Sequence, residues 1–288
     1  MGKSTLLNTF VGQHLSIVSP KAQTTRERVA GILTGEHFQI LFIDAPGLIQ
    51  PKYALQEAMT LAAAAAIDEA DCLVFIVDAT RPNTLPDDAA STTITARQIP
   101  IVVALNKTDL VDEATRDRLL AQIRGMGYET LPISALEQQG TDQLLETLVS
   151  LLPESPPLFP LDESATQPVR FFVQEFVRET CMDLFREEVP YSIICRVDEF
   201  RENQDPIFIR VIIYVERESQ KGMVIGKGGE AIRRVGEVSR KKIEELVDGH
   251  VFLELRVKVM PGWSRKYGRL QQLGVRLPPD ARGGHGSR

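Results

Sequence analysis

Three short runs in the first half of this 288-residue chain carry side chains able to handle a phosphorylated purine. Gly2-Lys3-Ser4-Thr5 has the order of the closing half of a phosphate-binding loop, G-x-x-x-x-G-K-[ST]. In such a loop, backbone N–H groups and a helix N-terminus cradle phosphate oxygens. Lys3 would reach the β- and γ-phosphates and assist their transfer, and the Ser4 hydroxyl would ligate Mg²⁺. Alone, these four residues could equally open an ordinary helix. Asn106-Lys107-Thr108-Asp109, directly after an apolar run, narrows the choice. Guanine presents N1–H and its 2-amino group side by side, and one carboxylate, Asp109, can accept both; adenine offers no such pair. Asn106 would bond elsewhere on the base and orient the loop, and the Lys107 stem would cover the ring face. After the next apolar run, the Ala135 N–H is placed to meet the guanine carbonyl, with Ser134 bracing the turn.

Asp44-Ala45-Pro46-Gly47 supplies the remaining parts. Asp44 would hold Mg²⁺ through a water, and the Gly47 N–H would sense the γ-phosphate during hydrolysis. Thr24 and Thr25 lie in a polar loop, and either could complete the magnesium shell; Thr24 is assigned with Ser4 and Asp44. Leu48 stands where many enzymes of this kind keep a water-orienting glutamine, so hydrolysis is expected to be slow or to position water by other groups.

A second constellation lies far along the chain. Gly226-Lys227-Gly228-Gly229 makes a G-x-x-G loop, which lets a nucleic-acid backbone approach closely. Lys221, Ile225, Arg233 and Arg234 flank it, with Arg240, Lys241 and Lys242 beyond. A lone G-x-x-G is a weak signal and can mimic a dinucleotide loop, so its setting decides.

The elements that must position these residues follow two grammars. In residues 1–152, "QILFIDAPG", "CLVFIVDAT", "IPIVVALNKTD" and "ETLPISA" are continuous apolar runs ending in polar residues. They alternate with helical patterns over 54–70, 87–98, 113–126 and 141–152. Runs buried on both faces between helices predict an α/β, doubly wound parallel sheet, with ligands at the carboxyl ends of its strands. Residues 153–168 are a Pro-rich linker. Residues 169–262 read α-β-β-α-α-β, a three-stranded α+β domain whose G-x-x-G falls between two helices, the order of a type II KH RNA-binding domain. Residues 263–288 are a basic tail, and its last ten residues are expected to be disordered.

Composition sets limits. A net charge of −6 advertises no nucleic acid globally, so an RNA surface must be a local patch. The three cysteines form no C-x-x-C pair, and the four histidines show no metal-ligand spacing. No run approaches the ~18 apolar residues of a membrane span, and the N-terminus has no signal-peptide pattern. A cytoplasmic protein is expected.

In order, GKST, TT, DAPG, NKTD and SAL resemble the five GTP-binding motifs of translation-factor-like GTPases. With "VPYSI", "QKGMVIGKGG" and "LELRVKVMPGW", the chain resembles the Era family of bacterial GTPases from Gly2 to about Gly274. That resemblance implies a P-loop GTPase with GTP as substrate and Mg²⁺ as cofactor. It also implies a monomer that binds the 3′ end of 16S rRNA, assists 30S assembly and sits in the cytoplasm or peripherally at the inner membrane. An alternative is a KH-type RNA-binding protein whose G domain is nucleotide-incompetent scaffold; an ATPase or dinucleotide enzyme fits Asn106-Lys107-Thr108-Asp109 poorly. The family's D-T-P-G turn is here D-A-P-G, with Ala45. The family's first strand and G-x-P-N-V before GKS do not occur in this chain. Met1 is therefore expected to occupy the valine position of a chain that starts upstream, and the chain as written is expected to bind GTP poorly.

Asp109→Asn is expected to weaken GTP and favour xanthosine triphosphate, because an amide donor suits a carbonyl where guanine has its amine. Competition binding of the two nucleotides checks this; an unchanged preference for GTP would remove Asp109 as the base reader.

Overall fold

The computed structural model describes residues 1–19, 21, 24–47, 49–81 and 99–277. Leu48, the helix expected over 87–98 and the last ten residues lie outside the described residues. The chain divides into two compact units. One comprises Met1–Val18, Arg28–Leu48 and Ala62–Thr166; the other comprises Ser19–Glu27, Ile49–Leu61 and Gln167–Arg288.

The first unit opens with helix α1 (Lys3–Val11), then strands β1 (Val29–Thr34) and β2 (Gln39–Asp44). Helix α2 (Ala54–Glu69) follows, grouping with the first unit only from Ala62 onward, then β3 (Leu73–Asp78), β4 (Ile101–Asn106), α3 (Glu113–Gly125), β5 (Glu129–Pro132) and α4 (Thr141–Leu151). Strands β3, β4 and β5 pair in that order and in parallel, as the apolar runs predict. Side-chain alternation explains why the β4 run is apolar throughout. Val102 and Ala104 pack with Leu6, Phe10, Ile133 and Leu144, whereas Val103 and Leu105 pack with Leu119 and Ile123. Each such side chain, buried from water, contributes about 1.5–3 kcal/mol.

The run "QILFIDAPG" departs from expectation. It pairs antiparallel with β1, Val29 opposite Asp44 and Thr34 opposite Gln39. The connection is a tight turn in which Gly35 N–H donates to the Phe38 carbonyl at 2.9 Å. So short a link can reverse the chain but cannot make the crossover that parallel pairing needs.

The second unit is built on α5 (Val169–Leu184), β6 (Ile194–Arg201), β7 (Ile207–Val215), α6 (Glu218–Ile225), α7 (Glu230–Val247) and β8 (Val251–Val259). The sheet order is β6-β7-β8, with β6 antiparallel and β8 parallel to β7, and the expected α-β-β-α-α-β order holds. Phe172, Val173, Phe176, Ile209, Val211, Ile213, Val235 and Ile243 fill its core.

Two features of this unit lay outside the sequence reading. The basic tail contains helix α8 (Tyr267–Gln272), whose Leu270 joins Trp263, Leu273 and Val275 against Leu55, Met59 and Ile194. Its apolar positions were masked by the arginines and lysines between them. Segment 19–27 is held by buried cations. Arg26 donates to the Ile193 carbonyl at 2.5 Å and lies 5.7 Å over the Trp263 ring, and burial with the nearby Arg178 charge lowers its pKa to about 10. Among the described residues, no helix is long and apolar enough to cross a membrane.

Leu270→Ala tests the tail helix. Truncating a fully buried leucine should cost about 2–5 kcal/mol, read as an earlier urea transition; an unshifted transition would mean the helix is ornamental.

Candidate nucleotide and RNA sites

The phosphate side is assembled from α1 and the end of β2. Gly2, at φ 99°, caps α1, and a Cβ there would run into Asn106 Nδ2, so only glycine lets this loop approach β4. Ser4 Oγ donates to Asp44 Oδ2 at 2.7 Å, both residues being buried. A Cβ built on Gly47 would lie 3.9 Å from Lys3 Nζ. The structure thus brings Lys3, Ser4, Asp44 and Gly47 together, with Thr5 in the first turn of α1. A hydroxyl and a carboxylate are hard oxygen donors of the kind Mg²⁺ prefers. Among the described residues, no group of three or more His, Cys, Asp or Glu could hold a metal. A magnesium ion at Ser4 and Asp44 would therefore share phosphate and water oxygens, which is its usual habit. Thr24 belongs to the second unit, where its carbonyl accepts from Arg178 Nη2 at 2.7 Å.

The base side gathers at the carboxyl ends of β3, β4 and β5. Asn106 is buried, and its amide Nδ2 donates to the Met1 carbonyl at 2.9 Å while Oδ1 accepts from Ala135 N–H at 2.9 Å. The Ala135 N–H, expected at the guanine carbonyl, here donates to Asn106 Oδ1, a buried oxygen that needs a donor. Ser134 braces the turn as expected: its N–H donates to Gln139 O at 2.9 Å and its Oγ accepts from Glu137 N–H at 3.3 Å. Asp109 lies exposed in a short 3-10 turn, Thr108–Leu110, tied down by Thr108 Oγ1 donating to Ile133 O at 2.9 Å.

Asp78, the last residue of β3, was missed. Paired across the sheet from Asn106, it is fully buried and accepts from Lys107 Nζ at 2.5 Å and from Thr80 Oγ1 at 2.6 Å. Burial alone would raise its pKa, but the Lys107 and Thr80 hydrogen bonds outweigh it and hold the carboxyl below the ordinary value. Lys107 itself sits at φ 65°. Asp78 therefore fixes the ammonium of the lysine whose stem is to cover the base. The signal was available: "VDAT" ends its run as "LNKTD" ends the next.

The RNA constellation is built by α6, α7 and β8. Gly226 has φ 74°, and a Cβ there would lie 2.9 Å from Ala231 N, so the entry to α7 demands glycine. Gly228 and Gly229 also have positive φ, at 61° and 79°, with open space around them. Lys227, Gly228, Arg233 and Arg234 are exposed at this corner, with Lys221 and Ile225 half-buried beside them. A cleft of about 460 Å³ runs from the loop between α7 and β8, lined by Ile232, Arg233, Gly236, Arg240, Leu253 and Leu255 among others, with Phe252 only at its lip. Lys242 is turned away, donating to the buried Glu179 at 2.7 Å. Phe252 and Ile232 were not in the sequence-derived set, because a lone apolar residue in a strand or helix carries no mark of its role.

Residues 1–107 match the family model of 50S ribosome-binding GTPases, and residues 188–264 match the KH domain model. The chain is 40% identical to GTPase Era of Carboxydothermus hydrogenoformans over 92% of this chain and 91% of that protein. It is 40% identical to GTPase Era of Nitratidesulfovibrio vulgaris over 97% and 94%. Among solved structures, an Aquifex aeolicus Era variant bound to GDP and aluminium fluoride superposes with a TM-score of 0.91 at 37% identity, over 96% of this chain and 95% of that one. Era in complex with MgGDPNP and nucleotides 1506–1542 of 16S ribosomal RNA gives 0.91 at 38% identity over the same shares.

Asp78→Asn keeps the shape but removes the charge that holds Lys107. Hydrogen bonds to charged groups are worth about 1.5–3 kcal/mol, so fluorescent GDP binding should weaken by roughly tenfold. The sign with pH follows from the lowered pKa: the charge that holds Lys107 is present at neutral pH, and its contribution to affinity is lost as pH falls through that lowered value. Affinity lost equally by variant and parent on acidification would deny Asp78 this role.

Proposed function

The chain belongs to the Era family of GTPases, and from that premise we propose that it is a magnesium-dependent GTP switch that engages the 3′ end of 16S rRNA through its KH domain and assists 30S subunit assembly. Mg²⁺, when bound, would neutralise charge on the β- and γ-phosphates. Ser4 and Asp44 are the residues to hold it. Lys3 holds the outer phosphates at the N-terminus of α1, where helix N–H groups add to its charge. Gly47, beside Lys3, is positioned to report the presence of the γ-phosphate through its backbone. Asp109 and the Lys107 stem read and cover the guanine, with Asn106 tying the loops around it.

One observation carries this reading. Lys3, Ser4, Asp44 and Gly47 converge in a unit whose β4 also ends in Asn106, and Asn106 touches the phosphate loop directly. The exposed G-x-x-G corner then supplies the RNA end of the switch. Its cleft is open at the loop, so a phosphate backbone can reach Lys227 and the glycine N–H groups while bases lie toward β8.

Replacing Lys227 and Gly228 together with Asp should abolish binding of a 16S 3′-end RNA by the full chain, with circular dichroism unchanged. The salt dependence of the parent should follow counterion release, log affinity falling linearly with log salt. RNA affinity indifferent to GTP in a folded, nucleotide-binding chain would favour the scaffold alternative over the switch.

A further inference from the structure

Phe252 stands out among the described residues as an exposed phenylalanine, 56% accessible, at the lip of the RNA cleft. Single exposed apolar residues are ordinary on protein surfaces and need no explanation. This one is not single. Its ring stacks on Phe208, directly opposite on β7, with centroids 5.8 Å apart and planes 12° from parallel. The guanidiniums of Arg201 and Arg210 lie over the Phe208 ring, at 5.1 and 5.3 Å from its centroid. Phe208 is thereby covered, and Phe252 is the open end of a cation–aromatic stack that is already assembled.

The stack lies on the outer face of the sheet, the side turned from α5 and α7. Along that face a ladder of charges runs from Glu199 through Arg210 to Glu254, in paired register across the three strands. Glu199 and Glu254 are about a quarter exposed and Asp198, 3.7 Å from Arg210, is 43% exposed, whereas the Arg201 and Arg256 side chains that pair with Glu199 and Glu254 are the most exposed of the set, at 58% and 51%. A strand leaving the cleft over β8 therefore meets an aromatic ring first and guanidinium groups around it. Bases stack on such rings whatever their identity, because each has a π-face, and arginines beside them meet the phosphates. A folded protein partner would instead need a wide apolar patch, which one phenylalanine rimmed by charge does not offer.

We propose that single-stranded RNA seated in the α7–β8 cleft continues over the edge of β8, where one base closes on the free face of Phe252. This rests on the cleft being the RNA site, and it adds a stacking subsite on the outer sheet face that lengthens the footprint beyond the nucleotides clamped by the G-x-x-G loop. Ring order favours it: Phe208 already restrains Phe252, so little side-chain freedom remains to be lost on binding.

The test uses the full chain and fluorescein-labelled single-stranded RNAs of about four nucleotides, the length a G-x-x-G loop clamps, and of about ten. Phe252→Ala should leave the short RNA within about twofold and weaken the long one by about tenfold, a typical loss for one stacked base. Phe252→Trp should restore the long RNA and Phe252→Leu should not, since leucine keeps apolar area without a ring face. A Phe252→Leu protein that binds the long RNA like the parent would overturn the stacking subsite. Equal affinities of parent and Phe252→Ala at both lengths would also do so, even while the Lys227→Asp, Gly228→Asp protein still fails to bind, which leaves the cleft reading standing. If that double variant binds both RNAs like the parent, the cleft reading falls and the subsite with it. A loss of self-association in Phe252→Ala, seen by sedimentation without any change in RNA affinity, would assign the ring to a second copy of the chain and refute the RNA proposal.

Discussion

One buried amide organises the nucleotide half of this protein. Asn106 donates to the Met1 carbonyl and accepts from Ala135 N–H, so a single side chain joins the phosphate loop, the end of β4 and the loop after β5. It does so where water is excluded, at 2% exposure, and an unmatched amide at such a place would cost about 1–3 kcal/mol. Everything around it adapts. Gly2 is required because any side chain would occupy the Asn106 amide's place, and Thr9 Oγ1 clasps the Ala135 carbonyl at 2.8 Å, fastening α1 to the same loop. Base and phosphate groups are therefore not independent sites on a common sheet; they share a hinge-pin.

Charge is handled in opposite ways in the two sites, and the chemistry of the ligands explains the difference. A guanine is neutral, so a bare ammonium over its ring would be poorly satisfied; Asp78 engages the Lys107 ammonium, and on the proposed reading the aliphatic stem is left for the base. RNA brings phosphates, and at the G-x-x-G corner the cations Lys227, Arg233 and Arg234 stand exposed. Lys242, farther along α7, is drawn into a pair with buried Glu179 and serves the fold. A net charge of −6 is thus compatible with an RNA surface, because the local arrangement and not the total decides what a phosphate meets.

Much of this was legible in the sequence, and the reasons are physical. Apolar runs between helical patterns predicted β3, β4 and β5 in parallel, and the α2, α3 and α4 boundaries fell within a residue of expectation, since each follows a cap or a polar break. Motif residues Lys3, Ser4, Asp44, Gly47 and Asn106 do converge, because ligands collect at the carboxyl ends of such strands. What stayed hidden depends on partners distant in sequence. The antiparallel β1–β2 pairing was obscured because "VAGILT" follows a charged stretch and its partner reads like any buried strand. Asp78 and Phe252 each look unremarkable until the fold sets Lys107 beside one and the cleft beside the other. The Asn106 oxygen beside the Ala135 N–H was equally hidden, because the two residues meet only once β4 and the loop after β5 are brought together.

That last contact bears on how a base would enter. With the Asn106 amide held at both ends, the proposed guanine recognition falls first to the exposed carboxylate of Asp109, on a turn anchored by Thr108 to Ile133. An exposed reader on an anchored turn suits a site that must admit its ligand from solvent: the carboxylate stays hydrated until the base arrives, while its position is already set. The amide contributes by a different route, keeping α1 and the β5 loop at fixed separation so that phosphates and base can be held at once. On the proposed reading, specificity resides in the accessible group and geometry in the buried one, and a substitution at either would be expected to fail in its own way: the first by changing which nucleotide binds, the second by loosening every nucleotide alike.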